Sequence, residues 1–364
     1  MKGMVIMRKL SVVLIFLMLM GIMLSGCGGN ESTVSSFSLA ETPVADEKSF
    51  KLGESGTVSI DFEVPEKGLI KMVAYDSTEY IEWPNEIAEI YVDFKDESGK
   101  IIYEKIRITD GYTDKYSLNS GKITAEITVE NQPVRMERIA LSWAFAAEKY
   151  EPVDVDYETK SAAPADENGI ARFAFSVAKP SLVRIFPAEA CIYESDCSFY
   201  IENSNGEKIT GDISIHGTEW SSRLVFLNEG DYVIAVSGIE AVASCSVREE
   251  KAYSDIQLSD AEGLSVPVTF GFDALSIGER KAKFTADGSK YLAVETLGVG
   301  TFYDSVHTVY VEITDADGNI VAQSDEEECV SDETRIDISS LSGEYTVTVS
   351  TSGPCVAALS LISE

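Results

Sequence analysis

Apolar and polar residues alternate over short segments along most of this chain. Residues 58–64, 171–177 and 308–313 show the pattern, and Gly, Asp, Asn or Ser residues separate such segments. A period of two residues turns one side of a β-strand towards a core and the other towards solvent, and no long segment has the helical period instead. The pattern therefore predicts an all-β fold.

Three sequence markers recur three times in the same order. A Tyr-acid-Ser triplet comes first, at residues 75–77, 193–195 and 303–305. A strand ending in a turn glycine follows, at residues 90–102, 199–210 and 309–321. A second glycine then opens an alternating strand, at Gly121, Gly230 and Gly343. Successive copies lie about 110 residues apart, which is the size of a small domain.

The turn glycines fit hairpins, because hairpin turns require a positive φ that side chains with a Cβ resist. Gly99, Gly206 and Gly318 hold the same position in the three copies. We therefore predict three tandem antiparallel β-sandwiches of about eight strands each, jelly-roll-like in form. Their predicted boundaries are residues 46–150, 151–250 and 251–364.

One strand pattern also carries a family resemblance. Leu227, Gly230, Tyr232 and Val236 form an L-x-x-G-x-Y-x-x-x-V strand in the second copy. The third copy matches with a turn one residue shorter, and the first has Ile123 in place of the tyrosine. Together with an earlier aromatic strand ending in D-x-x-G, this order resembles the bacterial pre-peptidase C-terminal domain. The resemblance implies a jelly-roll-like sandwich and spans nearly all of the chain after its N-terminal segment.

The N-terminal residues have the pattern of an export signal. Basic residues precede an apolar run at residues 10–20, and Leu-Ser-Gly-Cys follows and ends at Cys27. A run this short, with basic residues before it and small residues after it, is typical of a cleaved signal peptide. Its last four residues resemble the bacterial lipobox, in which the cysteine thiol receives a diacylglycerol. We expect residues 1–26 to be removed, Cys27 to anchor the chain to the bacterial membrane or outer surface, and residues 27–45 to form a flexible tether.

Charge narrows the range of partners. The formal net charge is −32, and removal of a basic signal peptide makes the mature chain more acidic still. Such a chain repels phosphate backbones, and no basic patch with interleaved aromatic residues is present in the sequence. Nucleic acid is therefore excluded as a partner.

Five cysteines remain after Cys27 is committed to lipid, so they cannot all pair within the chain. Cys329 and Cys355 lie near late strands of the third unit and form the favoured disulfide in an oxidising compartment. The middle unit holds Cys191, Cys197 and Cys245, of which one is left over. The alternative is that all five stay reduced.

The sequence offers little for catalysis. His216 and His307 fall in different repeats, and neither has a nucleophile elbow beside it. No zinc-ligand spacing is present, and the abundance of acidic residues makes paired carboxylates uninformative. We therefore predict a protein without enzymatic activity.

Calcium is the one cofactor that the acidic residues suggest. Asp76, Glu194 with Asp196, and Asp304 recur in register beside a strand, where carboxylates can supply the oxygens that Ca²⁺ prefers. A solvated loop explains the same residues. The sequence D-A-D-G-N at residues 315–319 lacks the distal acid of an EF-hand and is better explained as a hairpin turn.

Tryptophans are the candidates for stacking on a sugar. Trp220 lies in a polar loop sequence and Trp83 in an acidic one, whereas Trp143 falls in an apolar run and is assigned to the core. We predict an extracytoplasmic lipoprotein whose sandwiches bind or scaffold an unknown glycan or protein. One alternative is a carbohydrate-binding lipoprotein, and another, implied by the resemblance alone, is an accessory component of a secreted peptidase system.

Overall fold

The computed structural model describes most of the chain after residue 34. The described residues are 35–76, 88–109, 114–131, 136–191, 196–215, 222–259, 261, 263–272, 278–297, 308–324, 327–328 and 333–363. All regular structure among them is β-strand. The predicted all-β class is confirmed.

The strands fall into three successive sets. The first set is β1 (Ser35–Ser38), β2 (Val44–Lys51), β3 (Thr57–Val64), β4 (Gly68–Asp76), β5 (Glu89–Lys95), β6 (Ile101–Arg107), β7 (Lys115–Leu118), β8 (Gly121–Glu130) and β9 (Arg138–Ala147). The second is β10 (Val153–Asp154), β11 (Lys160–Pro164), β12 (Ile170–Val177), β13 (Ser181–Glu189), β14 (Cys197–Asn203), β15 (Ile213–Ile215), β16 (Arg223–Leu227), β17 (Gly230–Ser237) and β18 (Val242–Ala252). The third is β19 (Ile256–Gln257), β20 (Val268–Phe272), β21 (Glu279–Ala286), β22 (Tyr291–Leu297), β23 (Thr308–Thr314), β24 (Ile320–Gln323), β25 (Glu327–Glu328), β26 (Glu333–Asp337), β27 (Gly343–Thr351) and β28 (Cys355–Ile362).

The same eight strands build all three sandwiches. They are β2 to β9, β11 to β18, and β20 to β28 without β25. Counted one to eight within each set, the strands form one sheet in the order 1-8-3-6 and a facing sheet in the order 2-7-4-5. This is the double Greek-key order of a jelly roll. The prediction of three tandem jelly-roll-like sandwiches is confirmed.

Strand pairing departs from the prediction at the extra strands. All pairs within the eight-strand sets are antiparallel. The short strands β10 and β19 instead pair parallel with β12 and β20. Both precede their eight-strand set and extend a sheet at its edge, so the sandwiches are not purely antiparallel.

The predicted tether was too long. Residues 35–38 form β1 beside β3, and β2 begins at Val44, which pairs with Ala144 of β9. Leu39 between them is buried in the first core. The sequence did not predict this strand because Phe37 is the one apolar residue of β1, and it packs against the first core. At the next boundary, β18 continues to Ala252, slightly beyond the predicted end of the second sandwich.

Alternate residues of the facing sheets form one core in each sandwich. In β9 the inward residues are Ile139, Leu141, Trp143 and Phe145. Trp143 is fully buried and its Nε1–H donates to the carbonyl of Thr42 at 3.2 Å, which confirms its assignment to the core. Burial of these apolar side chains is the main stabilising term of each sandwich.

Candidate functional site

Most residues predicted to bind a ligand or lipid lie outside the described residues. These are Cys27, Trp83, Glu194, Trp220 and Asp304, and Cys329 of the predicted disulfide lies outside them as well. Asp76 is the last residue of β4, and Asp196 directly precedes β14 with an exposed side chain. Asp76 lies where the third strand of the first sandwich ends, whereas Asp196 lies just before the fourth strand of the second sandwich. The repeated calcium site stays a prediction, and the described residues contain no group of three or more His, Cys, Asp or Glu placed to hold a metal ion.

Residues 315–319 form a hairpin turn, as predicted. Asp315 Oδ1 accepts hydrogen bonds from the backbone N–H groups of Asp317 and Asn319, both at 2.9 Å. Gly318 has a φ of 84°, and its N–H donates to the carbonyl of Asp315. Hydrogen bonds from the Asn319 side chain and from the backbone lower the pKa of Asp315. The carboxylate is therefore used to close the turn.

The same turn occurs three more times among the described residues. It begins at Asp96, Asp166 and Asn203. In each, the side-chain Oδ1 accepts from the backbone N–H groups two and four residues later, at 2.8 to 3.2 Å. An asparagine closes this turn as well as an aspartate does, so the first side chain of each turn serves the backbone.

The cysteines of the second sandwich occupy two environments. Cys197 and Cys245 lie in the same core and come from facing sheets, and burial raises the pKa of the Cys245 thiol. Cys191 is half-buried, and its Sγ lies 3.7 Å from the carbonyl oxygen of Lys71 in the first sandwich. Cys355 is buried in the third core with Sγ 3.5 Å from Thr351 Oγ1. Its pairing with Cys329 stays a prediction.

An open groove lies at one end of the first sandwich. It has a volume of about 540 Å³ and lies between the turn joining β5 to β6 and the turn joining β7 to β8. Its polar lining includes Asp96, Ser98, Asn119 and Lys122. The Ser98 hydroxyl and backbone N–H groups lower the pKa of Asp96, so this carboxyl is ionised near neutral pH. The groove offers hydrogen-bonding groups of both kinds to a polar ligand.

The junction between the first two sandwiches is built from small residues. Ala144 and Ala146 point outward from β9 and are fully buried, although their inward neighbours already fill the first core. They pack with Ala162 of β11 and Val242 of β18, on the outer face of the second sandwich. Small side chains let the two outer sheet faces approach closely.

A buried ion pair spans this junction. The Lys71 side chain on β4 is 1% exposed, and its Nζ lies 2.6 Å from Glu189 Oε1, a carboxylate that is 11% exposed. Lys160 pairs with Asp46 at 3.0 Å nearer the surface, and Lys115 Nζ donates to the carbonyl of Glu240 at 3.3 Å. Burying an ammonium is costly unless a partner meets it, and Glu189 of the second sandwich is the partner of Lys71.

The second junction is built from large apolar residues. Phe226 of β16 is fully buried and packs with Leu182 of β13 and Val356 of β28. Gly271 of β20 faces this ring, and a Cβ placed there would lie 2.7 Å from Phe226 Cζ and 2.9 Å from Ile256 Cδ1. The glycine leaves the space that the aromatic ring fills.

Neither junction was predicted from the sequence, although the eighth strands carry a signal for both. The eighth strands β9 and β28 carry runs of consecutive apolar residues, and β18 begins with four consecutive buried residues, Val242 to Cys245. A strand that is apolar on both faces is covered on both faces. The inner face belongs to the sandwich core, and the outer face to the neighbouring sandwich.

Comparison with known proteins gives no family. No protein-family model and no curated protein matches the chain. Solved structures match at low similarity: PNGase F, a glycosylasparaginase from Flavobacterium meningosepticum, has 12% identity, a TM-score of 0.21 and coverage of 56% of this chain and 94% of its own. A triple jelly-roll protein of an archaeal virus has 10% identity, a TM-score of 0.18 and coverage of 87% and 90%.

Tripeptidyl peptidase 2 has 11% identity and a TM-score of 0.22, and this chain, covered to 90%, spans 24% of its length. At such TM-scores none of these similarities supports an inference about activity or partner. The strand order of each sandwich, rather than similarity to any solved structure, identifies the jelly rolls here. No helix among the described residues is long and apolar enough to cross a membrane.

Proposed function

We propose that the chain is an exported, non-enzymatic bacterial lipoprotein, anchored through Cys27, whose three sandwiches form one scaffold that presents a binding surface outside the cytoplasm. The observation that supports a scaffold is the burial of both junctions. Independent domains on flexible linkers leave the faces between them solvated, whereas here Lys71, Ala144 and Phe226 are all nearly or fully buried. Fixed junctions hold separate binding surfaces at constant spacing.

Lipid attachment is tested by metabolic labelling with radioactive palmitate in a bacterial host. The full chain is expected to take up label and to sediment with membranes, because the signal and lipobox precede Cys27. A Cys27→Ser variant is expected to lose both properties. Label retained in the variant, or wild-type chain found in the cytoplasm, would contradict the proposal.

The scaffold role is tested by small-angle scattering from the mature chain carrying Cys27→Ser. The wild-type junctions are expected to give one particle of fixed dimensions. Ala144→Arg places a long charged side chain in the first junction and is expected to increase the radius of gyration. Scattering of the chain with wild-type junctions that already fits independent, mobile sandwiches would overturn the scaffold.

The proposed absence of enzymatic activity is tested separately. Hydrolysis of glycans or peptides by the purified chain would contradict it.

Carbohydrate binding is the second candidate, and the groove of the first sandwich favours it. Its carboxylate, amide and hydroxyl groups match the hydrogen-bonding needs of a sugar. We expect binding on a glycan or peptidoglycan array to weaken in Asn119→Ala, with Trp83→Ala and Trp220→Ala as separate tests of stacking. Repeating the array with a chelator tests the calcium prediction. Absence of binding to every glycan would remove this candidate for the ligands tested.

A further inference from the structure

The fifth strand of each set lies at a sheet edge. The three copies differ in the length, charge and regularity of this edge strand. An edge strand presents backbone N–H and C=O groups that can pair with another chain, and proteins block it with charges, bulges or shortness. In the first sandwich, β6 carries Glu104, Lys105 and Arg107. Lys105 has a φ of 50°, its N–H donates to Asp93 Oδ1 at 2.5 Å, and its Nζ pairs with Glu130. This edge is bulged and charged.

The second sandwich protects the same edge by shortness. Its fifth strand, β15, has three residues. The residues before it form an ion pair, with Lys208 Nζ 2.7 Å from Asp212 Oδ1, and the same ammonium lies 4.3 Å from the centre of the Tyr200 ring. A bound strand would find few backbone groups to pair with here.

In the third sandwich, β24 has four residues and one register shift in its pairing with β23, but it lacks the charged side chains that protect β6. The strand reads Ile-Val-Ala-Gln and carries no charge. Ile320 is 53% exposed and Val321 is 38% exposed, which makes them two of the four large apolar residues exposed in the described part of the chain. The strand pairs with β23 on one side, and no described strand lies on its other side.

The sequence around β24 is strongly acidic, and this charge favours a cationic partner. Between Lys290 and Arg335 the sequence contains eleven acidic residues and no Lys or Arg. β25, which continues the edge beside β23, consists of Glu327 and Glu328. A second copy of this acidic chain would be repelled, whereas a cationic chain is attracted.

We propose that β24 is a docking edge for an extended peptide segment that carries both apolar and Lys or Arg side chains. The segment adds a strand beside β24 through backbone hydrogen bonds, covers Ile320 and Val321, and places its cations near the acidic residues of the third sandwich. The inference deepens the proposed scaffold function by naming a partner class. It does not depend on lipid attachment, because the edge lies within the folded third sandwich.

The test is fluorescence anisotropy with the mature chain carrying Cys27→Ser and a labelled octapeptide of alternating Lys and Val. Binding is expected at low salt, weaker at high salt, and lost when Glu replaces Lys in the peptide. A peptide with N-methylated backbone on its pairing edge is expected to bind at least about tenfold more weakly, because it cannot extend the sheet.

Val321→Lys adds a charge of the kind that protects β6 in the first sandwich, and it is expected to weaken binding at least about tenfold. Ile101→Lys is the matched control, since Ile101 is also an exposed apolar residue, 42% exposed, on a fifth strand, and it is expected to leave binding within about twofold. Both substitutions are at exposed positions, and circular dichroism checks that both variants fold.

Three results would overturn the docking edge: no peptide binding at low salt, equal binding of the N-methylated peptide, or equal loss in Val321→Lys and Ile101→Lys. A dimer of the chain that Val321→Lys abolishes would assign the edge to a second copy instead. Failure of palmitate labelling would leave a positive peptide result standing, so the two proposals fail separately.

Discussion

The second sandwich packs against the first and the third through two junctions of different composition. The first brings alanines together and buries the Lys71–Glu189 ion pair between them, whereas the second inserts Phe226 against Gly271. In both, the eighth strand of a set supplies outward residues that the neighbouring sandwich covers. The inward residues of every copy must fill the same jelly-roll core, while the outward residues are free to diverge. A repeated fold therefore does not imply repeated interfaces.

The largest expected effect comes from breaking the ion pair at the first junction. Lys71→Met removes the ammonium from beside a carboxylate that is only 11% exposed, and should lower the free energy of unfolding by about 3 to 5 kcal/mol. Combining it with Glu189→Leu should recover most of that loss, because no charge then remains buried. Urea unfolding measures both. A single variant as stable as the wild type would show that the pair does not hold this junction.

The second junction is broken by adding volume. Gly271→Val forces Phe226 or Ile256 to move and should cost about 2 to 3 kcal/mol. Gly211→Ala is the control, since a Cβ there meets no atom within 4 Å. Calorimetry should show the third sandwich unfolding separately in Gly271→Val and not in the control. Equal melting of the two variants would mean that the second junction tolerates the added side chain.

A smaller effect is expected from overpacking the first junction. Ala144→Leu enlarges a fully buried residue and should cost about 1 to 2 kcal/mol, whereas Ala147→Leu at the half-exposed end of the same strand should be nearly neutral. Thermal unfolding of the two variants compares them directly. If both cost the same, strand propensity rather than the junction decides the result.

The smallest expected effect is on the pH dependence of the stability of the second sandwich, which lies between the two junctions. Hydrogen bonds from Arg184 and then Arg248 hold the pKa of Glu250 below its ordinary value of 4.5. A lowered folded-state pKa stabilises the protein above the unfolded value, and that contribution disappears as pH falls through the folded value. Glu250→Gln should therefore melt below the wild type at neutral pH, with the difference closing below about pH 4.5. A difference independent of pH would exclude this ion pair as its cause.

Much of the fold was accessible from local sequence. Gly99, Gly206 and Gly318 all have positive φ and close equivalent turns, and Gly121, Gly230 and Gly343 each open the seventh strand of their set. Turn chemistry and two-residue alternation are properties of neighbouring residues, so they survive in a single sequence. The strand order 1-8-3-6 and the pairing of residues 35–38 depend on contacts between residues far apart in the chain. A single sequence therefore does not reveal them.

Three hydroxyl groups near the fifth strands have the same role, but the sequence did not predict it. The hydroxyl groups of Thr109, Thr210 and Ser324 each accept the backbone N–H of a fourth-strand residue, at 2.8 to 3.0 Å. Thr109 and Ser324 follow the fifth strand of their set, whereas Thr210 precedes it. Their spacing along the chain varies and their residue type changes, so no motif marks them. Their shared role is visible only when the strands are superimposed by topology.

By itself, the sequence determined the all-β class, the three copies, the turns and the acidity, because each depends on residue type at short range. It also carries the prediction of export and lipid attachment at Cys27. The tertiary structure alone decided that Lys71 meets Glu189, that Phe226 fills the space beside Gly271 and that β24 is an uncharged edge beside acidic residues. These facts depend on which outward faces meet, and a side chain's outward neighbour is set by the packing of whole sandwiches rather than by its position in a strand.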